Sequence, residues 1–353
     1  MRQVHQVIPD YKTVFKECDV QTIIDDINAI DTDSLLFIAD GRVWEQYGKL
    51  FDTRTAFPGK KVHLWKTPEG ERAKQFSEFL SCTDFFLEKG IHRGSYVIAF
   101  GGGACSDFAG FVASTMLRGL SWSSIPTTLL SMVDASIGGK VGLNTKAGKN
   151  LIGSFHLPET IWANLDFLKT LPPTEIKSGK GEIIKYAFLS KTINDTIMSS
   201  NGDLYEIVTQ CAEYKLDITV KDYRETGLRK YLNLGHTFGH GLEKIYNIPH
   251  GEAVMWGIAL ICILFDKKEL IYELQQLKLT LQWPEQDPPW LHKTFPTKDI
   301  MTYISKDKKM ASNSRIDLVV PMNMGDVQRQ ELSLLELEEK INAKENDLRK
   351  FRL

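Results

Sequence analysis

Two short apolar runs mark the first half of the chain: SLLFIAD (residues 34 to 40) and SYVIAF (95 to 100), the second running into glycine. Continuous apolar runs of this length, bounded by an acid or a glycine, read as strands buried on both faces of a parallel sheet. Between them, EGERAKQFSEFLSCTDFFLEKG (69 to 90) has helical periodicity and a glycine stop. Strand, helix, strand predicts an α/β fold. After LPPTE (171 to 175) the texture changes, and GEIIKYAFL, DLYEIVTQCAEYKLDITVKDY and TFGHGLEKIY all carry helical patterns. The double proline, Pro172–Pro173, therefore divides the chain into an α/β domain (1–171) and an all-α domain (172–353). WPEQDPPWLHKTFP (283 to 296) reads as a loop between helices, and LSLLELEEKINAKENDLRKF near the C-terminus as an amphipathic helix with a solvated charged face. AVMWGIALICILF (253 to 265) is too short to span a bilayer comfortably and reads as a buried core helix.

Bulk properties narrow this picture. A chain of 353 residues exceeds one ordinary core, which agrees with two domains. A net charge of -2 gives no nucleic-acid footprint, so anion binding must come from local basic clusters. The five cysteines are scattered, with no CxxC pair, and read as reduced thiols of a cytoplasmic protein. The opening residues, MRQVHQVIPDYKTVF, lack the apolar stretch of a signal peptide. No nucleic-acid or membrane partner is expected.

Two glycine-rich stretches carry candidate chemistry. In YVIAFGGGACSDFAGF a strand runs through Gly101, Gly102 and Gly103 into a helix whose free amides and positive dipole end suit a pyrophosphate. The spacing is not GxGxxG, so the dinucleotide fingerprint is absent and a plain tight turn is the competing reading. Asp107 is expected in the first turn of that helix. The second stretch, VDASIGGKVGLNTKAGKNLIGSFHLP, superficially resembles a phosphate-binding P-loop. No glycine stands five before Gly148, however, and Asn150 replaces the magnesium-binding hydroxyl. Asp134, Lys140, Asn144, Lys149 and Asn150 are interleaved there with Ile137, Val141, Leu143 and Ile152, which suggests a loop forming a binding wall rather than a solvated one.

The segment LNLGHTFGHGLEKIYNIPHGEAV (232 to 254) holds three of the eight histidines, His236, His240 and His250. A continuous helix would put Asn233, His236 and His240 on one face. The pair is spaced as in HExxH, but the glutamate of that motif is missing. A lone histidine on a helix face is ordinarily a hydrogen-bonded core residue. Three with a carboxylate nearby point instead to catalytic zinc, which takes three protein ligands and keeps one position open. Glu182 in GKGEIIKYA is the acid of choice, since it shares an apolar helix face with Lys185, three residues on. The competing reading is an ordinary surface pair.

In chain order, GGGACSDFAGF, MLRG, PTTLLSMVDASIGGKVGLN, GKNLIGSF, GEIIKYA, ETGLRKYLNLGHTFGH and HGEAV closely resemble the 3-dehydroquinate synthase family, within the sugar-phosphate cyclases; the resemblance runs from roughly residue 34 to residue 320. It implies an α/β NAD-binding domain followed by an all-α metal-binding domain, with the active site in the cleft between them. It implies Glu182, His236 and His250 as ligands of zinc, with cobalt also suited to such a set, and leaves His240 to face substrate and move protons. For NAD it implies contacts at Asp107, Thr127, Thr128, Lys149 and Thr170, together with Asp40, Glu71 and Lys74, beside the turn at Gly102 and Gly103 already read as a pyrophosphate site. Lys140, Lys185, Lys215, Arg229 and Asn233 match catalytic substrate contacts. Asp134, Asn150 and either Lys308 or Lys309 match further substrate contacts. Arg118 matches an arginine that reaches the substrate phosphate of a neighbouring subunit, which implies a homodimer.

The implied substrate is 3-deoxy-D-arabino-heptulosonate 7-phosphate, a phosphorylated sugar acid. The implied lyase reaction oxidises it transiently with NAD, eliminates phosphate, returns the hydride and closes a carbocycle by an aldol step, as part of the shikimate pathway. Lysines and an arginine suit a substrate carrying both a carboxylate and a phosphate. Cyclases making 2-deoxy-scyllo-inosose or a valiolone are rival readings, as is a metal-dependent polyol dehydrogenase, although an uncharged alcohol needs no such cationic set. The chain departs from the family pattern at Ser106, where glycine is usual, at Gly181, where alanine is common, and at His156 and Leu157.

Overall fold

The apolar runs pair as neighbours in one sheet. The computed structural model describes residues 2–8, 11–51, 55–309 and 315–353. Among these, the first half holds, in chain order, β1 (Arg2–Ile8), β2 (Tyr11–Glu17), α1 (Val20–Ala29), β3 (Ser34–Asp40), α2 (Gly41–Tyr47), β4 (Lys61–Thr67), α3 (Phe76–Glu88), β5 (Tyr96–Gly101), α4 (Gly103–Thr115), β6 (Trp122–Pro126), β7 (Lys140–Thr145), β8 (Gly148–Phe155) and β9 (Thr160–Ala163). The main sheet has the order β1-β2-β9-β6-β5-β3-β4. It is parallel except where β1 meets β2. Strands β3 and β5 lie side by side, Leu35 opposite Tyr96 through Ala39 opposite Phe100. Both are buried on two faces, which is why they read as continuous apolar runs. Leu36, Ile38 and Val97 pack against Cys82 and Phe86 of α3 and Phe108 and Val112 of α4. From β3 the chain winds outward to β4 on one side and to β5 and β6 on the other. Such a reversal opens a crevice at the carboxyl ends of the strands.

Two expectations change here. The stretch 69–90 is not one helix: a 3-10 turn covers Gly70–Lys74, Gln75 is extended (φ -81°, ψ 144°), and α3 then begins. The second glycine-rich stretch is not a loop but the antiparallel hairpin β7–β8, with Thr145 opposite Gly148. Gly142 faces Gly153, and a Cβ on Gly142 would lie 2.7 Å from the Ile152 carbonyl oxygen, so the strands approach only because side chains are missing there.

From the double proline onward come α5 (Pro173–Leu189), α6 (Lys191–Ser199), α7 (Leu204–Lys221), α8 (His236–Tyr246), α9 (His250–Leu264), α10 (Lys268–Thr280), α11 (Thr297–Lys309), β10 (Arg315–Asn323), β11 (Asp326–Ser333), α12 (Leu334–Ala343) and α13 (Glu345–Lys350). The region is helical, with one addition: β10 and β11 form an antiparallel hairpin whose turn carries Gly325 at φ 80°. Alternation in RIDLVVPMN and the glycine after Met324 are the local signals for it. Helix α9 is the apolar run of residues 253–265, buried over nearly its whole length. No helix among the described residues is long and apolar enough to cross a membrane. The C-terminal pattern splits at Lys344 into α12 and α13, with a capping box between Ser333 and Glu336 opening the first.

Residue contacts divide the chain into two compact units, Met1–Leu171 with Ala212–Arg224, and Pro172–Cys211 with Glu225–Leu353. The dividing line thus passes through α7, and its second half, with Lys215, belongs to the sheet-containing unit.

Candidate functional site

In the sheet-containing unit Asp40, Gly102, Gly103, Thr127 and Thr128 come from the carboxyl ends of β3, β5 and β6, whereas Asp107 lies within α4 and Lys149 on β8 of the separate hairpin. Asp40 ends β3 and caps α2, accepting from the amides of Arg42 and Val43 at 3.0 and 3.2 Å. Burial raises its pKa above the ordinary carboxylate range. Gly102 and Gly103 follow β5. A Cβ on Gly102 would lie 2.9 Å from the Thr128 methyl, and one on Gly103 2.8 Å from Ala135. Gly102 is the N-cap of α4 and brings no side chain to cap it. Thr127 and Thr128 follow β6. The Thr127 hydroxyl is buried with no hydrogen-bond partner among the described residues, while the Thr128 hydroxyl pairs with Ser131 at 2.8 Å. An orphaned hydroxyl beside an uncapped glycine turn fits a ligand such as NAD. Thr170, at the end of the turn after β9, is exposed and bonded to the Tyr47 hydroxyl at 2.7 Å.

Asp107 falls in the second turn of α4, not the first, because the helix starts at Gly103. Its carboxylate meets the Lys74 ammonium at 2.5 Å. Burial raises the Asp107 pKa, and the lysine opposes that. Lys74 is only 2% exposed and also donates to the Asn150 side chain, so it ties the 3-10 turn after β4 to α4 and to β8. Asn150 itself has a left-handed backbone, φ 59°. Asn144, expected in the binding wall, completes this network. Its amide donates to Glu71 at 2.5 Å, and its oxygen accepts from the Asn150 amide at 3.0 Å. Lys149 lies 3.9 Å from Glu71 on the exposed side. Lys215 pairs with the Asp134 carboxylate at 3.0 Å and donates to its carbonyl at 2.6 Å. Lys140 opens β7 and is exposed. Arg118 is exposed too, in a turn where Leu117 and Arg118 both take left-handed backbones, φ 51° and 73°.

In the helical unit three helices converge through glycines. A Cβ on Gly181 of α5 would overlap the Gly251 carbonyl of α9, and one on Gly257 of α9 would overlap the Gly235 carbonyl ahead of α8. Gly235 also takes φ 80°, which ends the preceding 3-10 turn Leu228–Asn233 and starts α8 at His236. Asn233 therefore does not share a helix with His236 and His240, contrary to expectation, and its amide donates to Glu225 at 3.0 Å. His236 and His250 each open a helix, and Glu182 reaches them from the middle of α5. Glu182 Oε1 is 3.5 Å from His236 Nε2 and 3.2 Å from His250 Nε2. One ligand atom from each of these three residues lies within 4.8 Å of the others, the group expected to bind metal. Oxygen and imidazole nitrogen at that spacing suit a divalent transition metal.

Lys185 meets Glu182 at 2.5 Å, with the pair 1% and 0% exposed. A buried ion pair gives little net stability, so the pair is a candidate functional group rather than a structural one. Burial pushes the His236 imidazole down to about 3, against the pull of Glu182. Burial also acts to lower His250, but hydrogen bonds and charge from Glu182 and Glu243 hold it up at about 10. His240 sits one turn beyond His236, with ring centroids 5.5 Å from His236 and 6.0 Å from His250, outside the three-ligand group and exposed. Arg229 is 2% exposed. The side chains of Lys308 and Lys309 lie outside the described residues.

Residues 64–178 match the family profile of the 3-dehydroquinate synthase N-terminal domain, and residues 179–310 that of its C-terminal domain. Over 320 residues the chain is 37% identical to a 3-dehydroquinate synthase of Staphylococcus aureus strain MSSA476, an alignment covering 87% of this chain and 88% of that one. The chain belongs to the 3-dehydroquinate synthase family. Its three-ligand group and glycine turn thus stand in an enzyme family, on stretches that the two profiles match. Among solved structures, 2-deoxy-scyllo-inosose synthase, complexed with carbaglucose-6-phosphate, NAD+ and Co2+, has the same fold. Its TM-score is 0.81 at 21% identity, covering 97% of this chain and all of that one (100%). A 2-epi-5-epi-valiolone synthase from Streptomyces hygroscopicus with NAD+ and Zn2+ scores 0.80 at 23% identity, covering 97% and 99%. An iron-containing alcohol dehydrogenase from Corynebacterium glutamicum shares the fold more distantly, at 0.60 and 15% identity over 99% of each chain.

Proposed function

We propose that the chain converts 3-deoxy-D-arabino-heptulosonate 7-phosphate into 3-dehydroquinate and inorganic phosphate, as a phosphorus–oxygen lyase of the shikimate pathway. The observation that carries this reading is the convergence of Glu182, His236 and His250, with Lys185 buried against the glutamate, in a chain 37% identical to curated enzymes of that name. The sheet-containing residues 1–171 would serve as the NAD-binding domain, and the helical residues 172–353 as the metal-binding domain. The glycine turn would receive the NAD pyrophosphate, with the Thr127 hydroxyl and the neighbourhood of Asp40 completing the cradle. Glu182, His236 and His250 would hold zinc, and the same donors suit cobalt. Bound NAD supplies a reversible hydride acceptor, and bound metal polarises a substrate hydroxyl.

The chain's own groups do the rest. Lys140, Lys185, Lys215 and Arg229 would neutralise the carboxylate and phosphate of the substrate, two anionic groups at opposite ends of the molecule. Asp134 orients Lys215 through both its carboxylate and its carbonyl. Lys74 holds Asp107 and Asn150 in place, tying α4 to β8. Asn150, Asn233 and one of Lys308 and Lys309 would add substrate contacts. His240, outside the ligand group, would take and return protons at an imidazole nitrogen. Holding one flexible molecule through several steps is chiefly positioning. We further propose a homodimer in which the exposed Arg118 reaches the substrate phosphate of the neighbouring subunit. The strained backbone at Leu117 and Arg118 supports a role for that side chain, since such strain clusters at functional positions.

One assay tests the activity: incubate purified protein with the heptulosonate phosphate, zinc and substoichiometric NAD, and follow phosphate and NADH together. Phosphate in many-fold excess over NAD, with no accumulating NADH, is expected. NADH formed in step with substrate consumption would make the chain a dehydrogenase. The absence of both products would point to a cyclase acting on another sugar phosphate or to a non-catalytic binding relative.

A further inference from the structure

The imidazole of His250 is held on both sides. Its Nε2 lies 3.2 Å from Glu182 Oε1, and its Nδ1 lies 3.0 Å from Glu243 Oε2. We propose that Glu243 is a positioning residue for the metal centre, fixing His250 so that Nε2 presents its lone pair to the ion. The inference rests on the metal site proposed above and adds to it a residue outside the ligand set. A neutral imidazole has two tautomers and a ring free to turn, and only one arrangement offers Nε2 as a ligand. A carboxylate accepting from Nδ1–H selects that tautomer, sets the ring plane and makes Nε2 a stronger donor.

The other imidazole shows why a side chain is needed here. His236 Nδ1 lies 3.1 Å from the Leu234 carbonyl, an acceptor the backbone supplies just before α8. His250 instead relies on Glu243, which belongs to the neighbouring helix. Glu243 stands seven residues after His236, two turns along α8 on the same face, so one helix carries a ligand and the group that orients another. Charge gives a second reason. Lys185 already compensates Glu182, and Glu243 brings a further negative charge beside a position meant for a divalent cation.

The test compares zinc affinity, by chelator competition, in the unaltered protein and in Glu243→Ala, Glu243→Leu, Glu243→Gln and His250→Ala, with melting curves of each metal-free protein. Leucine fills much of the glutamate's space without an acceptor, so it carries the test should the alanine variant fold poorly. Glu243→Ala and Glu243→Leu should bind zinc roughly 10- to 100-fold more weakly, and Glu243→Gln, which keeps an acceptor oxygen, should recover most of that loss. Metal-free melting midpoints should fall modestly and alike in Glu243→Ala and Glu243→Leu, since both lose the contact to His250, and the chelator competition reads the metal site apart from that loss. Zinc affinity within twofold of unaltered in either Glu243→Ala or Glu243→Leu overturns the assignment while His250→Ala remains weak. Unaltered affinity in His250→Ala as well overturns the metal site itself, and the assignment with it.

Discussion

His240 and His250 look alike in sequence, each close to His236 and each plausible as its partner in chelation. Spacing alone favours the i, i+4 pair on one helix. Folding reverses that choice, because His250 opens the next helix and turns Nε2 towards Glu182, while His240 stays outside the group. His250→Ala should therefore lose bound metal on dialysis, and His240→Ala should keep a full equivalent while turnover falls by about 10²- to 10⁴-fold, the range for losing a proton-transfer group. Metal analysis of both variants beside initial rates checks this; metal retained by the first and lost by the second would exchange their roles. Glu182 was legible because a Glu and Lys three apart in an apolar helix call for a reason. Glu243 was not, since its partner lies across a turn and on another helix. Asn233 was misplaced because a helix can tolerate an isolated glycine, whereas Gly235 takes a left-handed backbone here and starts a new helix at His236.

Helices carry ligands only as well as they pack, and here the packing runs through glycine. The approach of α5 to α9 puts Gly181 directly under the Gly251 carbonyl, and Gly251 in turn lies against the Ser178 carbonyl. Gly181, read from sequence as a departure from the family pattern, therefore has a structural reason in this chain. In an open helix, Gly→Ala would gain about 1 kcal/mol in propensity. Here the new methyl meets backbone, which cannot rotate away, and overpacking costs typically ~1–3 kcal/mol or more. Gly181→Ala should thus lower the melting midpoint and also weaken zinc binding, since Glu182 is the next residue and moves with its helix. Unchanged stability and affinity would mean the helices stand further apart. Elements with a clean period were readable: SLLFIAD is β3, and the long apolar run is α9. The hairpin β7–β8 was not, because glycines facing each other interrupt the alternation that marks a strand. Only the partner strand shows why they are there.

At the scale of the molecule, the double proline marks where the contacts change, but the assignment of Ala212–Arg224 to the sheet-containing unit follows from long-range packing that no local pattern in α7 reveals. The scattered cysteines were legible as free thiols, and they remain so, with Cys82, Cys105, Cys211 and Cys262 buried. Burial pushes Cys105 and Cys262 up to about 12 from a thiol's usual 9.0, and Cys18 likewise, helped by nearby acids. Burial raises the Tyr246 phenol to about 12 as well. The sign of the linkage follows. Each folded-state pKa lies above its unfolded value, so the stability these groups contribute is intact below pH 9 and is lost as pH climbs towards 12. Every thiol still protonated in the folded chain but ionised in the unfolded one removes about 1.4 kcal/mol per pH unit. Denaturant midpoints should therefore fall steeply between pH 9 and 11, and a thiol reagent at pH 8 should label the native protein slowly and all five cysteines once it is unfolded. A midpoint flat across that alkaline range, with rapid native labelling, would mean that the thiols reach solvent and that the sheet and helices around them open far more readily than their packing implies.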